Sequence, residues 1–208
     1  MTTDIEKASA ELQELVAKAD TGARKPGGPT ATLIFGVALA WALFQLWYAS
    51  PLPFALSIGI LNDTEARAIH LAFALFLAFL AWPAFSGSPR DRVPVVDWLL
   101  AFAGAFAAAY LMLFYRELAT RPGQPTTTDI VVATTGLVLL LEATRRSVGW
   151  PMAALATLFI AYCMGGPYLP EVLQHKGASL NRLLSHMWLT TEGVFGIALG
   201  VSTGTIFV

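Results

Sequence analysis

The stretch LEATRRSVGWP, Leu141 to Pro151, places one glutamate and two adjacent arginines between long apolar segments. Glu142 lies three and four residues before Arg145 and Arg146, so on a helix its carboxylate can pair with either guanidinium. A carboxylate at the edge of hydrocarbon is costly alone and tolerable when it is paired. The stretch therefore predicts a short turn between two membrane helices, with the acid neutralised locally.

Two other interpretations of Glu142 stay open from the sequence. The carboxylate could lie on a proton or ion path, as intramembrane acids do in many transporters. It could also contact another part of a larger assembly. Glu142, Arg145 and Arg146 are therefore the first structural candidates.

The composition around this turn is that of a membrane protein. Hydrophobic residues make up 56% of the chain and charged residues 13%, against about a quarter charged in soluble domains. Five segments lack any charged side chain and approach or exceed the ~18–20 residues needed to span hydrocarbon. They do not alternate at period two, which excludes barrel strands. We predict an all-α polytopic membrane protein with about five to six transmembrane helices plus one interfacial amphipathic helix.

Capping and breaking signals place the helices along the chain. The expected spans are about 31–49, 66–85, 95–115 and 126–144, with a fifth from Trp150 to the GGP break at 165–167. Asn62 with Glu65, and Thr126 with Asp129, match helix-starting capping pairs. The polar first 25 residues predict a short surface helix and a linker.

The segment SLNRLLSHMW, residues 179–188, has the period of an amphipathic helix. Ser179 is the expected N-cap. Leu184 and Trp188 share its apolar face, and the other face is too polar to cross a bilayer. We expect it to lie in the interface plane or to pack on a neighbour. Gly193 then opens a further apolar run.

The distribution of basic residues predicts the orientation. If the N-terminus is cytoplasmic, eight arginine and lysine side chains fall inside and five fall outside. Basic residues near span ends prefer the cytoplasmic side. The N-terminus and the Arg145–Arg146 turn are therefore expected on the cytoplasmic side of the membrane.

Catalytic, cofactor and metal motifs are not expected. Ser202 in GVSTG fits a nucleophile pattern, but that motif needs a strand–turn–helix setting and a neighbouring base. The histidines His70, His175 and His186 have no metal-ligand spacing, and Cys163 is a small apolar core residue by default. The basic residues lie beside the predicted membrane spans and form no separate basic patch, so no nucleic acid partner is expected. An enzyme is not predicted, and an intramembrane hydrolase rests on Ser202 alone.

Three segments resemble one transporter family. They are LEATRR-x-VGW (141–150), GPYLP (166–170) and SLNRLLSHMWLTTEGVFGI-x-LGVS (179–202). This ordered set closely resembles the fused permeases of tripartite ATP-independent periplasmic (TRAP) transporters, which join a small four-helix subunit to a large transport subunit. Earlier spans agree with that family only in number and spacing.

The resemblance implies ion-gradient-driven solute uptake across a bacterial cytoplasmic (inner) membrane, usually coupled to sodium, with a periplasmic solute-binding protein of the TAXI type. It divides the chain into a cytoplasmic tail (1–28), a four-helix scaffold (29–146) and the start of the large subunit (147–208). The family's substrate and sodium sites lie in hairpins without a counterpart here, so no such site is assigned. The expected partners are the binding protein, the remainder of the permease and membrane lipid.

The final apolar run is what a fragment would show. The alternative function is a non-transporting membrane protein that only binds partners.

Overall fold

The computed structural model describes residues 22–85 and 87–206, and within them all regular structure is helical, with no strand. Four helices are long and apolar enough to cross a membrane: α1 (Gly28–Ala49), α3 (Asp63–Ala81), α4 (Val95–Leu113) and α6 (Thr127–Ser147). Two short helices, α2 (Leu52–Leu56) and α5 (Tyr115–Thr120), lie between them. These helices confirm the helical class and fit a membrane protein.

The second part of the described chain holds shorter elements. Helix α7 (Trp150–Gly165) has 16 residues and is followed by a 3₁₀ turn (Gly166–Tyr168), α8 (Leu180–Trp188), α9 (Ile197–Val201) and a π-helical turn (Ser202–Ile206). Whether α7 crosses the membrane stays a prediction, and so does the total number of spans. The surface helix predicted before Gly22 lies outside the described residues.

The helix starts follow the capping signals in the sequence. The Asn62 side chain accepts a hydrogen bond from the Glu65 amide at 2.9 Å, and the Glu65 carboxylate accepts one from the Asn62 amide at 2.9 Å. Thr126 and Asp129 form the same reciprocal pair at the start of α6. Both capping boxes are confirmed, and they satisfy amides that would otherwise lack partners. Ser179 caps α8 as expected.

Two predicted helix ends were wrong. The second span ends at Ala81, not near residue 85, because Trp82 takes an extended conformation (φ −108°, ψ 127°) before Pro83. The third span ends at Leu113, since Phe114 leaves the helical region (φ −112°, ψ 19°) before α5 begins.

The core lies between α3, α4 and α6. Small residues allow close packing: a Cβ added to Gly104 of α4 would lie 3.3 Å from Leu75 Cβ of α3. Leu75, Phe79 and Leu137 are buried in the same cluster. Large apolar side chains instead cover the outside of α1, α4 and α7, with Phe35 exposed by 68%. That outer surface is expected of helices that meet lipid.

Helix α8 packs on this bundle, which confirms one of its two expected placements. Trp188 is fully buried, and its indole N–H donates to the Ala107 carbonyl of α4 at 2.9 Å. Leu184, on the same face of α8, is also buried. The space for the indole exists because residue 136 of α6 is glycine, where an added Cβ would overlap the Trp188 ring.

We predict that Gly136→Ala displaces Trp188 and lowers the free energy of unfolding by about 1–3 kcal/mol, the usual cost of overpacking. Gly36→Ala is the matched control, because Gly36 lies in α1 with nothing within 4 Å of the added Cβ. Thermal unfolding in detergent, followed by tryptophan fluorescence, measures both. A Gly136→Ala protein as stable as the Gly36→Ala protein would contradict the docking.

Candidate functional site

Five charged side chains meet at the end of the bundle where α1 and α4 begin and α3 and α6 end. They are Arg24, Asp97, Glu142, Arg145 and Arg146, and they form a continuous chain of ion pairs. We call this set the arginine cluster. Three guanidinium groups face two carboxylates, so the cluster has one net positive charge.

Asp97, in the first turn of α4, is the central acid of the arginine cluster. Its Oδ2 pairs with the Arg24 guanidinium, and its Oδ1 lies 2.7 Å from Arg146 Nη1. All three side chains are buried, with exposures of 5% or less. A buried carboxylate is stable here only because two cations and their hydrogen bonds replace its hydration.

Glu142 pairs with both arginines of the opening sequence stretch at once. Its carboxylate accepts hydrogen bonds from Arg145 Nε and Nη2 and from Arg146 Nε, each at 2.7 Å. The side chain is 28% exposed, so Glu142 lies at the outer edge of the cluster. Local neutralisation of this acid is confirmed.

The arginine cluster also binds the end of α3. Arg24 Nη1 donates to the Phe79 carbonyl at 3.0 Å, and Arg145 Nη2 donates to the Ala84 carbonyl at 2.9 Å. The last carbonyls of a helix have no partner within the helix and carry partial negative charge. The guanidinium groups therefore hold the linker before α1, the end of α3 and the end of α6 together.

The structure thus brings Glu142, Arg145 and Arg146 into one site, while Leu184 and Trp188 lie elsewhere, in the contact of α8 with the bundle. The sequence interpretation missed Asp97 and treated Arg24 only as a loop charge. A detectable signal was present: Asp97 is an acid in the first helical turn after Pro94, flanked by apolar residues.

A second buried acid, Asp129 of α6, is bound by α4 and by the residue after α5 at the opposite end of the bundle. Asp129 is fully buried and pairs with Arg121; the Tyr110 hydroxyl donates to the same carboxylate at 2.7 Å. Arg121 donates a hydrogen bond from its guanidinium to Asp129, and this bond raises the pKa of Arg121. Arg121 therefore remains a cation. Asp129 is therefore more than a helix cap, since it also holds two helices in register.

A buried histidine lies between α1, α3 and the last described turn. His70 is 3% exposed, and its Nδ1 contacts the Gln45 side-chain amide and lies 3.4 Å from Trp41 Nε1. Its Nε2 lies 3.4 Å from Ser202 Oγ. The sequence showed no base beside Ser202, and here the structure corrects that expectation: His70 is its neighbour across 132 residues.

The hydrogen-bond role of His70 toward Ser202 depends on its tautomer. An indole N–H can only donate, so a hydrogen bond from Trp41 goes with a lone pair on Nδ1 and a proton on Nε2, which then faces Ser202 as a donor. With the proton on Nδ1, directed at Gln45, Nε2 would instead be the acceptor toward Ser202, as in a catalytic triad.

The remaining histidines make other contacts. His175 Nε2 lies 3.1 Å from the Tyr162 carbonyl, and His186 lies 3.6 Å from the Glu192 carboxylate. No group of three or more His, Cys, Asp or Glu residues suited to a metal occurs in the part of the chain that the structure describes.

We predict that Asp97→Asn lowers the free energy of unfolding by about 3 kcal/mol, because it leaves two buried guanidinium groups short of a countercharge. Glu142→Gln should cost only about 1 kcal/mol, since that side chain is partly solvated. Denaturant titration in mixed micelles measures the free energy of unfolding of both variants. Asp91→Asn is the neutral control, because Asp91 lies exposed in a loop. Equal losses for Asp97→Asn and Asp91→Asn would contradict the central role of Asp97.

Comparisons with family models, curated proteins and solved structures find no match for this chain.

Proposed function

We propose that this chain is the membrane scaffold portion of a TRAP-type permease, which takes up solute with an ion gradient and a periplasmic binding protein. The observation that carries the proposal is the docking of Trp188. Helix α8, which resembles the arm of the family's large subunit, is buried against α4 and α6, two helices of the part that resembles the small subunit. A fused permease needs such a fixed joint between its two parts.

The charge pairs support a static role. A transporter that moves one domain against another needs a part that does not deform. In this bundle, sliding α4 past α6 would separate Asp97 from Arg146 at one end and the Tyr110 hydroxyl from Asp129 at the other. Leaving buried charges unpaired in apolar surroundings costs several kcal/mol per ion, so the helices resist relative movement.

The residues of the resemblance motifs have structural tasks in this proposal. Glu142, Arg145 and Arg146 join helix ends, and Leu184 and Trp188 hold the arm. Substrate and sodium would bind in a hairpin-bearing transport domain of the kind the family has. No described residue is assigned to those sites.

The proposed orientation can be tested with a matched pair of cysteines in a Cys163→Ser background. Ser147 lies at the arginine-cluster end and Ser57 at the opposite end, and both are exposed. We predict that a membrane-impermeant thiol reagent labels Ser57→Cys in intact cells and labels Ser147→Cys only after lysis. The reverse pattern would overturn a cytoplasmic N-terminus.

The transport role can be tested in liposomes with an inward sodium gradient and candidate TAXI-type binding proteins. We predict no uptake by residues 1–208 alone, and binding-protein-dependent uptake when a TRAP-type hairpin domain is supplied with them. In that complete system Trp188→Gln should reduce uptake without changing the affinity for the binding protein, because it weakens only the arm.

Two outcomes would count against this proposal. Uptake by residues 1–208 alone would contradict the scaffold role. Stable insertion with no complementation by any hairpin domain would favour the alternative, a membrane protein that only binds partners.

A further inference from the structure

We propose that the arginine cluster holds the phosphate of an anionic phospholipid in a pocket on its outer side. The pocket has a volume of about 330 Å³ and is lined by Arg145 and Arg146 together with Trp82, Phe85 and Trp150. No acidic side chain lines it among the described residues. It is therefore a cationic, aromatic-walled pocket at the end of the bundle.

Both arginines of this pocket keep unused hydrogen-bond donors. Arg145 uses Nε and Nη2 on Glu142 and Ala84, and Arg146 uses Nε and Nη1 on Glu142 and Asp97. Arg145 Nη1 and Arg146 Nη2 donate to no residue that the structure describes. A guanidinium group has only donors, so it is completed by an acceptor with several oxygens, and phosphate provides the geometry that arginine pairs prefer.

The charge balance agrees with an anionic ligand. The arginine cluster has one more guanidinium than carboxylate groups. The adjoining loop adds Arg90 and Arg92 against Asp91. A single phosphodiester charge would neutralise the excess in the cluster.

An apolar groove beside the pocket distinguishes a lipid from free phosphate. The groove runs between α6 and α7, has a volume of about 700 Å³, and is lined by Val138, Leu141, Ala154 and Leu158. Arg145 and Trp150 line both the pocket and the groove. A headgroup in the pocket would thus place its acyl chain directly in the groove, whereas free phosphate would leave the groove unused.

The position in the fold is that of a membrane interface. The pocket lies where α3 and α6 end and α7 begins. The aromatic rings of Phe85 and Trp150 lie 5.3 and 5.2 Å from the Arg145 guanidinium carbon. Aromatic and basic side chains together are typical of the headgroup level, and basic pockets between membrane helices bind anionic headgroups.

The test uses the purified full chain in a neutral detergent, with native mass spectrometry against phosphatidylglycerol and phosphatidylcholine. Inorganic phosphate is tested separately by thermal shift. Arg145→Lys keeps the charge but removes the planar donor fork, and Ala154→Phe fills the groove. The matched controls are Arg90→Lys, an exposed arginine at the same end, and Ala40→Phe, an exposed alanine of α1.

We expect phosphatidylglycerol to be retained in preference to phosphatidylcholine, and about tenfold less tightly after Arg145→Lys or Ala154→Phe. The controls should bind as the unsubstituted chain does. Equal retention of both lipids, equal weakening by the controls, or no effect of Ala154→Phe would each overturn the proposal. If Ala154→Phe has no effect and inorganic phosphate stabilises the protein, the site binds free phosphate instead of lipid. Because Ala154 is exposed, its substitution tests the groove without disturbing the arginine cluster.

Discussion

Asp97 holds two buried arginines that approach it from opposite directions, and the rest of the bundle depends on this contact. Arg24 comes from the linker before α1 and Arg146 from the end of α6, while Asp97 begins α4. The carboxylate needs both partners, because each oxygen accepts from a different guanidinium. Three chain segments are therefore joined at one carboxylate, and moving any of them away would leave a charge unpaired in apolar surroundings. The end of α3 is attached to them through Arg24, which donates to the Phe79 carbonyl.

The sequence predicted local features well and distant contacts poorly. Apolar run lengths, the two capping boxes and the pairing of Glu142 with Arg145 and Arg146 all follow from residues within a few positions of one another. Asp97, by contrast, pairs with Arg24, which is 73 residues away in the sequence, and with Arg146, which is 49 residues away. No periodicity encodes such a contact: the apolar neighbours of Asp97 single it out as an unusual acid, but they do not indicate which arginines it meets.

Helix α8 shows the same difference between local and distant features. Its period predicted which side chains share a face, and Leu184 and Trp188 are both buried as that face requires. The pattern could not predict the surface of α4 and α6 on which these two side chains pack. A buried indole N–H needs an acceptor, and the Ala107 carbonyl provides it at 2.9 Å only because residue 136 lacks a side chain. The position at which α8 packs therefore depends on Gly136, a residue of another helix.

The two ends of the bundle differ in how far their charged groups are paired within the protein. At the Asp129 end one buried carboxylate accepts hydrogen bonds from the Arg121 guanidinium, the Tyr110 hydroxyl and the Thr126 amide, so its acceptors are used within the protein. At the arginine-cluster end, guanidinium groups exceed carboxylates among the described residues, and Arg145 and Arg146 keep donors that no described residue accepts. The lipid phosphate proposed for this end would neutralise that excess, with its acyl chain in the groove between α6 and α7.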